Sequence, residues 1–144
     1  MPRFVLLYHD CPSHYVRASH WDFMLEAGKV LRTWTLAQLP RDWQAARELT
    51  ASTNSDCPPV AADNSVSAEQ LGDHRLDYLE KEGPLSGDRG RVIRIDRGTY
   101  DRISESRGCW RLTLAGGAWC GLITLQQNAP DSEQWTLTVR QPAD

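Results

Sequence analysis

The sequence predicts a mainly β protein, a small closed β-barrel with one or two short flanking helices. Three observations indicate this class: apolar runs of strand length, turn signals between them at close spacing, and alternation of apolar and polar residues along the runs. Short strands that follow one another closely favour a barrel or closed sheet. At 144 residues, the chain has the length of one domain, predicted over residues 1–144.

The first strand is predicted at 4–8, an apolar run too short for a helix. Residues 20–36 follow as a hairpin that turns at 27–29. A further strand at 91–96 is expected to close at Arg97-Gly98. The last predicted strands are 110–114, 119–125 and 135–139.

A turn at 116–117 sets the register between two of these strands. It places Leu114 opposite Trp119 and Leu112 opposite Gly121. One face of the pair then carries only apolar side chains: Trp110, Leu112, Leu114, Trp119, Ile123 and Leu125.

Helical and loop segments are few. Residues 41–50 follow Pro40 and predict a short helix, and 76–82 predicts a helical turn. Residues 51–68 are small, polar and rich in turn-forming types, which predicts a mobile surface loop.

Composition excludes several functional classes. No apolar run approaches the roughly 20 residues that span a bilayer, and the N-terminal residues do not resemble a signal peptide, so we expect a cytoplasmic protein without membrane contact. A net charge of −3 excludes general attraction to nucleic acid but permits a local basic groove. The absence of a C-x-x-C pair argues against a zinc ribbon. Without a predicted secretory signal, reduced thiols with no assigned role are expected at Cys11, Cys57, Cys109 and Cys120.

His20 and Asp22 share one face of a predicted strand, opposite Trp21 and Phe23. An imidazole and a carboxylate so placed can share a metal ion such as Mn²⁺, Zn²⁺ or Fe²⁺. His9, at the end of the first strand, supplies a third ligand if the two strands pair. A surface His–carboxylate pair has the same pattern, and spacing alone favours that interpretation.

His74 and Tyr78 form a second candidate pair. If a helix begins at His74, the two side chains lie at i and i+4 on one side of it. An imidazole beside a phenol can bind a phosphate oxygen or act on a leaving group. A polar loop entering a helix, with Tyr78 half-buried, explains the same residues, and the residues alone favour it.

Arginines recur between residues 89 and 111, interleaved with acidic residues. Strand alternation separates Arg91 from Arg94, so one continuous basic stripe is not predicted. A solvated charged face is the favoured interpretation, and a partial phosphate-tracking groove is the alternative.

Taken in order, these motifs resemble the 3′-phosphoesterase domain of bacterial DNA ligase D. That family has a strand ending in His, then H-Y-D-F-R-L-E, D-G-V-L-K-S-W, D-H-P-L-D-Y, E-G and D-R-G-T. The corresponding segments here are His9, HWDFMLEAGKVLRTW at 20–34, DHRLDY at 73–78, Glu82-Gly83 and DRGT at 96–99. The ordered set covers residues 4 to about 125 and outweighs the interpretations that single motifs favour.

The resemblance implies a metal-dependent phosphoesterase that removes a 3′-phosphate or a 3′-terminal ribonucleotide in DNA end repair. The family's Mn²⁺ ligands fall on His9, His20 and Asp22, and another divalent transition metal would suit them too. Its phosphate-binding catalytic pair falls on His74 and Tyr78. The implied partners are nucleic-acid 3′ ends and a separate ligase or polymerase, since the family is usually fused to both.

One departure affects phosphate binding. Met24 stands where the family has an arginine, and a thioether carries no charge and donates no hydrogen bond. Arg75, where the family has proline, or Arg17 is the expected replacement. The segment before His20 is longer than in the family and brings His14, a possible substitute ligand.

These departures keep two alternatives open. The barrel acts on a different phosphoester, such as that of a small molecule, or it binds nucleic acid or a repair protein without catalysis.

Overall fold

A computed structural model describes residues 2–11, 18–44, 60–80, 82–84, 90–115 and 121–140. Ten strands lie in these ranges: β1 Arg3–Asp10, β2 His20–Ala27, β3 Val30–Leu36, β4 Ser65–Gln70, β5 His74–Arg75, β6 Gly83–Pro84, β7 Arg91–Ser106, β8 Cys109–Ala115, β9 Gly121–Gln127 and β10 Gln134–Arg140. Single 3₁₀ turns lie at Arg41–Trp43 and Leu76–Leu79.

Eight strands close into an antiparallel barrel. Their order is β1-β2-β3-β4-β10-β9-β8-β7, and β7 pairs back with β1. The short β5 and β6 extend this wall by pairing with β3 and β7. Closure pairs the edges that an open sheet would expose, and it confirms the predicted mainly β barrel.

The described residues do not show the predicted flanking helices. The 3₁₀ turn Arg41–Trp43 lies at the start of the helix predicted over 41–50, and residues 45–50 lie outside the described ranges. The helical turn predicted at 76–82 is the 3₁₀ turn Leu76–Leu79. No helix in the described part of the chain has the length and hydropathy needed to cross a membrane.

The loop predicted over 51–68 gives way to β4 at Ser65, and residues 51–59 lie outside the described ranges. Val66 and Ala68 alternate with polar residues, and both are buried where β4 pairs with β10. Pairing with a neighbouring strand therefore outweighs the polar composition of this segment.

The hairpin predicted over 20–36 is confirmed. Ala27 pairs with Val30, and Gly28 and Lys29 form the turn between them. Gly28 has φ +64°, a backbone conformation that glycine adopts without strain.

The register predicted between β8 and β9 is wrong by two residues, because the connection between these strands is longer than the predicted two-residue turn. Leu114 pairs with Gly121, and Leu112 pairs with Ile123. A shift of two keeps each side chain on its face. The predicted face therefore still lines the interior, apart from Trp119, which lies outside the described ranges.

Strand β7 is longer than predicted, at 16 residues, and continues through Arg97-Gly98. Its first half pairs with β1 and its second half with β8, and a register irregularity interrupts each pairing. An irregularity of this kind lets one long strand bend around a barrel.

Two apolar clusters follow from side-chain alternation along the strands. The interior cluster includes Trp21, Trp34, Trp110 and Trp135. The second cluster contains Val5, Leu7, Met24, Leu31 and Leu79, with Leu76 and Tyr78 packed against it. Because β1 and β2 send their alternate residues inward, this second cluster lies on the outer face, under the 3₁₀ turn Leu76–Leu79.

Candidate functional site

His9 and His20 lie directly opposite each other in the β1–β2 pair. Their ring centroids are 5.0 Å apart with an interplanar angle of 67°. Both point to the outer face because Tyr8 and Trp21, their neighbours in sequence, point into the barrel. The prediction that strand pairing brings His9 beside the hairpin is confirmed.

The imidazole of His20 is held in one orientation. Nδ1 lies 2.8 Å from the carbonyl oxygen of Ala18, so Nδ1–H donates to that oxygen, and in the neutral ring Nε2 carries the lone pair. The residue is only 5% exposed, and Nε2 makes no hydrogen bond to any described residue. A buried polar nitrogen in this state is unfavourable until a ligand such as a metal ion satisfies it.

Asp22 lies next to this nitrogen on the same strand face, with Oδ1 3.4 Å from Nε2 of His20. The residue is 6% exposed and stands between Leu7 on β1 and Thr35 on β3. A carboxylate this buried requires a positive partner. Imidazole nitrogen and carboxylate oxygen together form a donor set that suits a divalent transition metal.

Cys11 joins the two histidines, which the sequence did not indicate. One donor atom each of His9, Cys11 and His20 lies within 4.8 Å of the others. An isolated cysteine is more often a small buried hydrophobic residue, so composition gave it no role. The signal that was available is its spacing, two residues after His9 and therefore on the same side of an extended chain.

His74 and Tyr78 are in contact, as predicted, but not through a helix. Their ring centroids are 5.3 Å apart at an interplanar angle of 85°. His74 lies in β5 and the 3₁₀ turn begins only at Leu76, so a strand entering a turn brings the rings together. Nδ1 of His74 lies 3.0 Å from the carbonyl oxygen of Gly72, which orients the ring.

Met24 is part of the outer apolar cluster and only 1% exposed. It lies two residues beyond Asp22 on the same face of β2. The face therefore changes from polar to apolar at this point. Tyr78 packs against the same cluster. The His74–Tyr78 pair and the strand that carries Asp22 therefore border one apolar cluster, which contains Met24.

Of the two arginines predicted to replace the missing guanidinium, the described residues include Arg75 but not Arg17. Arg75 is on β5, with a side chain 80% exposed and Nε 3.6 Å from Oδ1 of Asp77. Arg17, together with His14, lies outside the described ranges.

Arg94, which the sequence does not predict as a replacement guanidinium, also lies on the outer face of the barrel wall. It pairs with Leu7, which in turn pairs with Asp22, so Arg94 and Asp22 are two strands apart on the outer face. Its side chain is 24% exposed, and Nη2 lies 3.4 Å from Oε1 of Glu82.

Two further arginines on β7 contact acidic residues. Arg91 lies 3.2 Å from Asp10, and Arg97 lies 3.7 Å from Glu80. This pattern supports the favoured interpretation of a solvated charged face.

A groove of about 370 Å³ begins at His20 and runs along the outer face of the barrel. Its walls come from β2, β3, β4 and β10 and are formed by Ala18, Ser19, His20, Thr35, Ala37, Ser67, Glu69 and Gln134. No lysine or arginine lines it among the described residues. Hydroxyl, amide and carboxylate groups suit hydrogen bonding to a hydroxyl-rich ligand.

The profile of the DNA ligase D 3′-phosphoesterase domain matches residues 12–136, which is most of the chain. The match spans β2 and the segment from β5 through the 3₁₀ turn, and it begins after His9 and Cys11. No curated protein matches the sequence.

Proposed function

The chain belongs to the DNA ligase D 3′-phosphoesterase domain family, and from this premise we propose a metal-dependent phosphoesterase that acts on nucleic-acid 3′ ends in DNA repair. It removes a 3′-phosphate or a 3′-terminal ribonucleotide. The observation that carries the proposal is the buried Nε2 of His20, which faces Asp22 and stands across from His9.

The donors fit a divalent transition metal, with Mn²⁺ or a similar ion as the cofactor. When bound, such an ion polarises a phosphoryl oxygen or lowers the pKa of a bound water. His20 would bind the ion through Nε2, because Nδ1–H donates a hydrogen bond to the Ala18 carbonyl. Such a hydrogen bond is typical of histidines that bind metal ions. Asp22 adds negative charge beside that nitrogen.

His74 and Tyr78 bind the phosphate in this proposal. The Gly72 carbonyl accepts a hydrogen bond from Nδ1–H of His74, so the other ring nitrogen, Nε2, is the one that interacts with a phosphate oxygen. The Tyr78 hydroxyl donates a second hydrogen bond, and both groups stabilise charge on the transferring phosphate. Arg75 supplies the guanidinium, because its exposed contact with Asp77 costs little to break.

The groove beside His20 supports a substrate with a sugar at the reacting end. Glu69 and Gln134 line it with a carboxylate and a side-chain amide, which can hydrogen-bond to sugar hydroxyl groups. A 3′-terminal ribonucleotide presents such hydroxyls, whereas a bare phosphate calls for the cations that this groove lacks among its described lining residues.

The test is Mn²⁺-dependent product release from a primer–template that carries a 3′-terminal ribonucleotide or 3′-phosphate. A metal-free reaction and His20→Ala serve as negative controls, and Arg107→Ala, in an exposed ion pair after β7, is the distant control. Turnover that disappears in both negative controls and persists in Arg107→Ala supports the proposal. No turnover while metal still binds contradicts it.

The burial of Met24 favours a second candidate, a barrel that binds nucleic-acid ends or a repair protein without turnover. Met24 is an uncharged member of the outer cluster, so its side chain cannot form an ion pair with a phosphate. A nucleic-acid binder loses affinity steeply as salt rises, whereas a phosphoesterase for a small molecule does not bind DNA. Binding to the primer–template at two salt concentrations separates these cases.

A further inference from the structure

Cys11 is fixed beside the start of β2 by its backbone. Its N–H donates to Oγ of Ser19 at 2.9 Å, and the Ser19 hydroxyl donates to the Cys11 carbonyl at 3.4 Å. Together with the β1–β2 pairing, these bonds hold the half-buried thiol beside His9 and His20. The three side chains place their donor atoms within 4.8 Å of one another.

The buried nitrogen of His20 independently indicates a ligand at this point. Nε2 makes no hydrogen bond within the described residues, and Ala18 prevents the ring from presenting Nδ1 in its place. The thiol's contact with the His9 carbonyl is long, at 3.8 Å, and a thiol is a weak donor. A metal ion bound by this group would take a donor atom from both His20 and Cys11, because the donor atoms of the group lie within 4.8 Å of one another.

We propose that Cys11 Sγ is a ligand of the metal held by His9 and His20, and that it raises the preference of the site for a thiophilic ion such as Zn²⁺ over Mn²⁺. The proposal rests on the metal site of the proposed function. Thiolates are soft ligands that favour zinc, whereas manganese prefers oxygen ligands. Mn²⁺ also has the lowest affinity for a given protein site among the divalent first-row transition metals. On ligation the thiol loses its proton to solvent and sulfur donates an electron pair to the ion.

The test uses Co²⁺ as a spectroscopic substitute for Zn²⁺, added to the metal-free full chain. A thiolate bound to cobalt gives a sulfur-to-metal charge-transfer band in the near ultraviolet. We expect the band in the unmodified protein and in Cys109→Ser, and its loss in Cys11→Ser. Cys109 is a matched control because it is also half-buried and lies on β8, separated from β1 by β7.

Competition between Zn²⁺ and Mn²⁺ gives a second readout. We expect Cys11→Ser to lose more than about 10-fold in affinity for Zn²⁺, the lower end of what an outer-shell partner contributes, and to lose less for Mn²⁺. An unchanged circular dichroism spectrum shows that the variant is folded.

The failures are distinguishable. Cobalt binding without a charge-transfer band overturns the role of Cys11 and keeps the site of His9, His20 and Asp22. A band that persists in Cys11→Ser places the sulfur on another cysteine and also overturns it. Binding of none of the three ions overturns this proposal and the metal dependence of the proposed function together.

Discussion

Oδ1 of Asp22 lies 3.4 Å from Nε2 of His20, two residues away on the same strand, and both side chains are more than nine-tenths buried. Polar side chains on the outer face of a barrel usually contact water. His20 and Asp22 are largely shielded from it, and the same face of β2 continues into the buried outer cluster at Met24. The pair therefore concentrates a carboxylate and an imidazole where solvent compensates poorly for charge. A divalent cation bound beside the pair would supply compensating positive charge.

Replacing Asp22 by Asn removes the charge and keeps the shape. We expect affinity for Mn²⁺ or Zn²⁺ to fall by more than about 10-fold, because an amide is a weaker ligand than a carboxylate. We expect the free energy of unfolding of the metal-free protein not to fall, because burying the neutral amide costs less than burying the carboxylate. Calorimetric titration and urea unfolding measure the two effects; unchanged metal affinity would remove Asp22 from the site.

Met24→Arg tests whether the outer cluster can accept the side chain typical of the family. Met24 is 1% exposed among aliphatic residues, so an unpaired guanidinium there should lower the free energy of unfolding by about 3 kcal/mol or more. Met24→Leu is the matched control and should cost less than about 1.5 kcal/mol. Urea unfolding compares them, and an arginine variant as stable as the leucine variant would show that the side chain reaches solvent.

Tyr78→Phe and His74→Ala separate packing from phosphate chemistry. The phenylalanine keeps the ring contact with His74 and loses only the hydroxyl. We expect kcat to fall by about 10²–10³-fold in each variant, by analogy with the loss of one oxyanion donor, while the metal still binds. Single-turnover kinetics on the primer–template provide the measurement, and a change in KM alone would restrict the pair to ground-state binding.

The ion pair of Arg3 and Glu26 predicts a pH dependence of stability. Nε and Nη2 of Arg3 each donate to Glu26 at 2.9 Å, and this hydrogen bonding holds the pKa of Glu26 below its ordinary value. A carboxyl with a lowered folded pKa stabilises the fold above its unfolded pKa, and the contribution is lost as pH falls through the folded pKa.

Glu26→Gln should therefore lower the thermal unfolding midpoint at pH 7, and the difference from the unmodified protein should shrink to nothing in acid. Glu133→Gln, at an exposed position outside the pair, controls for the loss of one negative charge. A difference between Glu26→Gln and the unmodified protein that is constant from pH 7 to pH 3 would contradict the assignment.

Much of the site follows from alternation along two strands. His20 and Asp22 share a face because side chains in a strand alternate, and this relation depends on no other part of the chain. The same parity explains why the inward face of β8 and β9 was predicted correctly although their register was not: a shift of two residues leaves every side chain on its face. By contrast, the contact of His74 with Tyr78 was expected from a helix that the structure replaces with a strand and a 3₁₀ turn.

The sequence by itself determined the β class, the hairpin and the outward direction of His20 and Asp22, because these follow from local periodicity and turn chemistry. Only the tertiary structure decided that His9 stands opposite His20, that Cys11 joins them, and that Met24 is buried in one cluster with Leu79. Those facts depend on strand register and on contacts between segments distant in sequence. Such contacts are set by which surfaces bury each other best across the whole chain, and no local pattern specifies them.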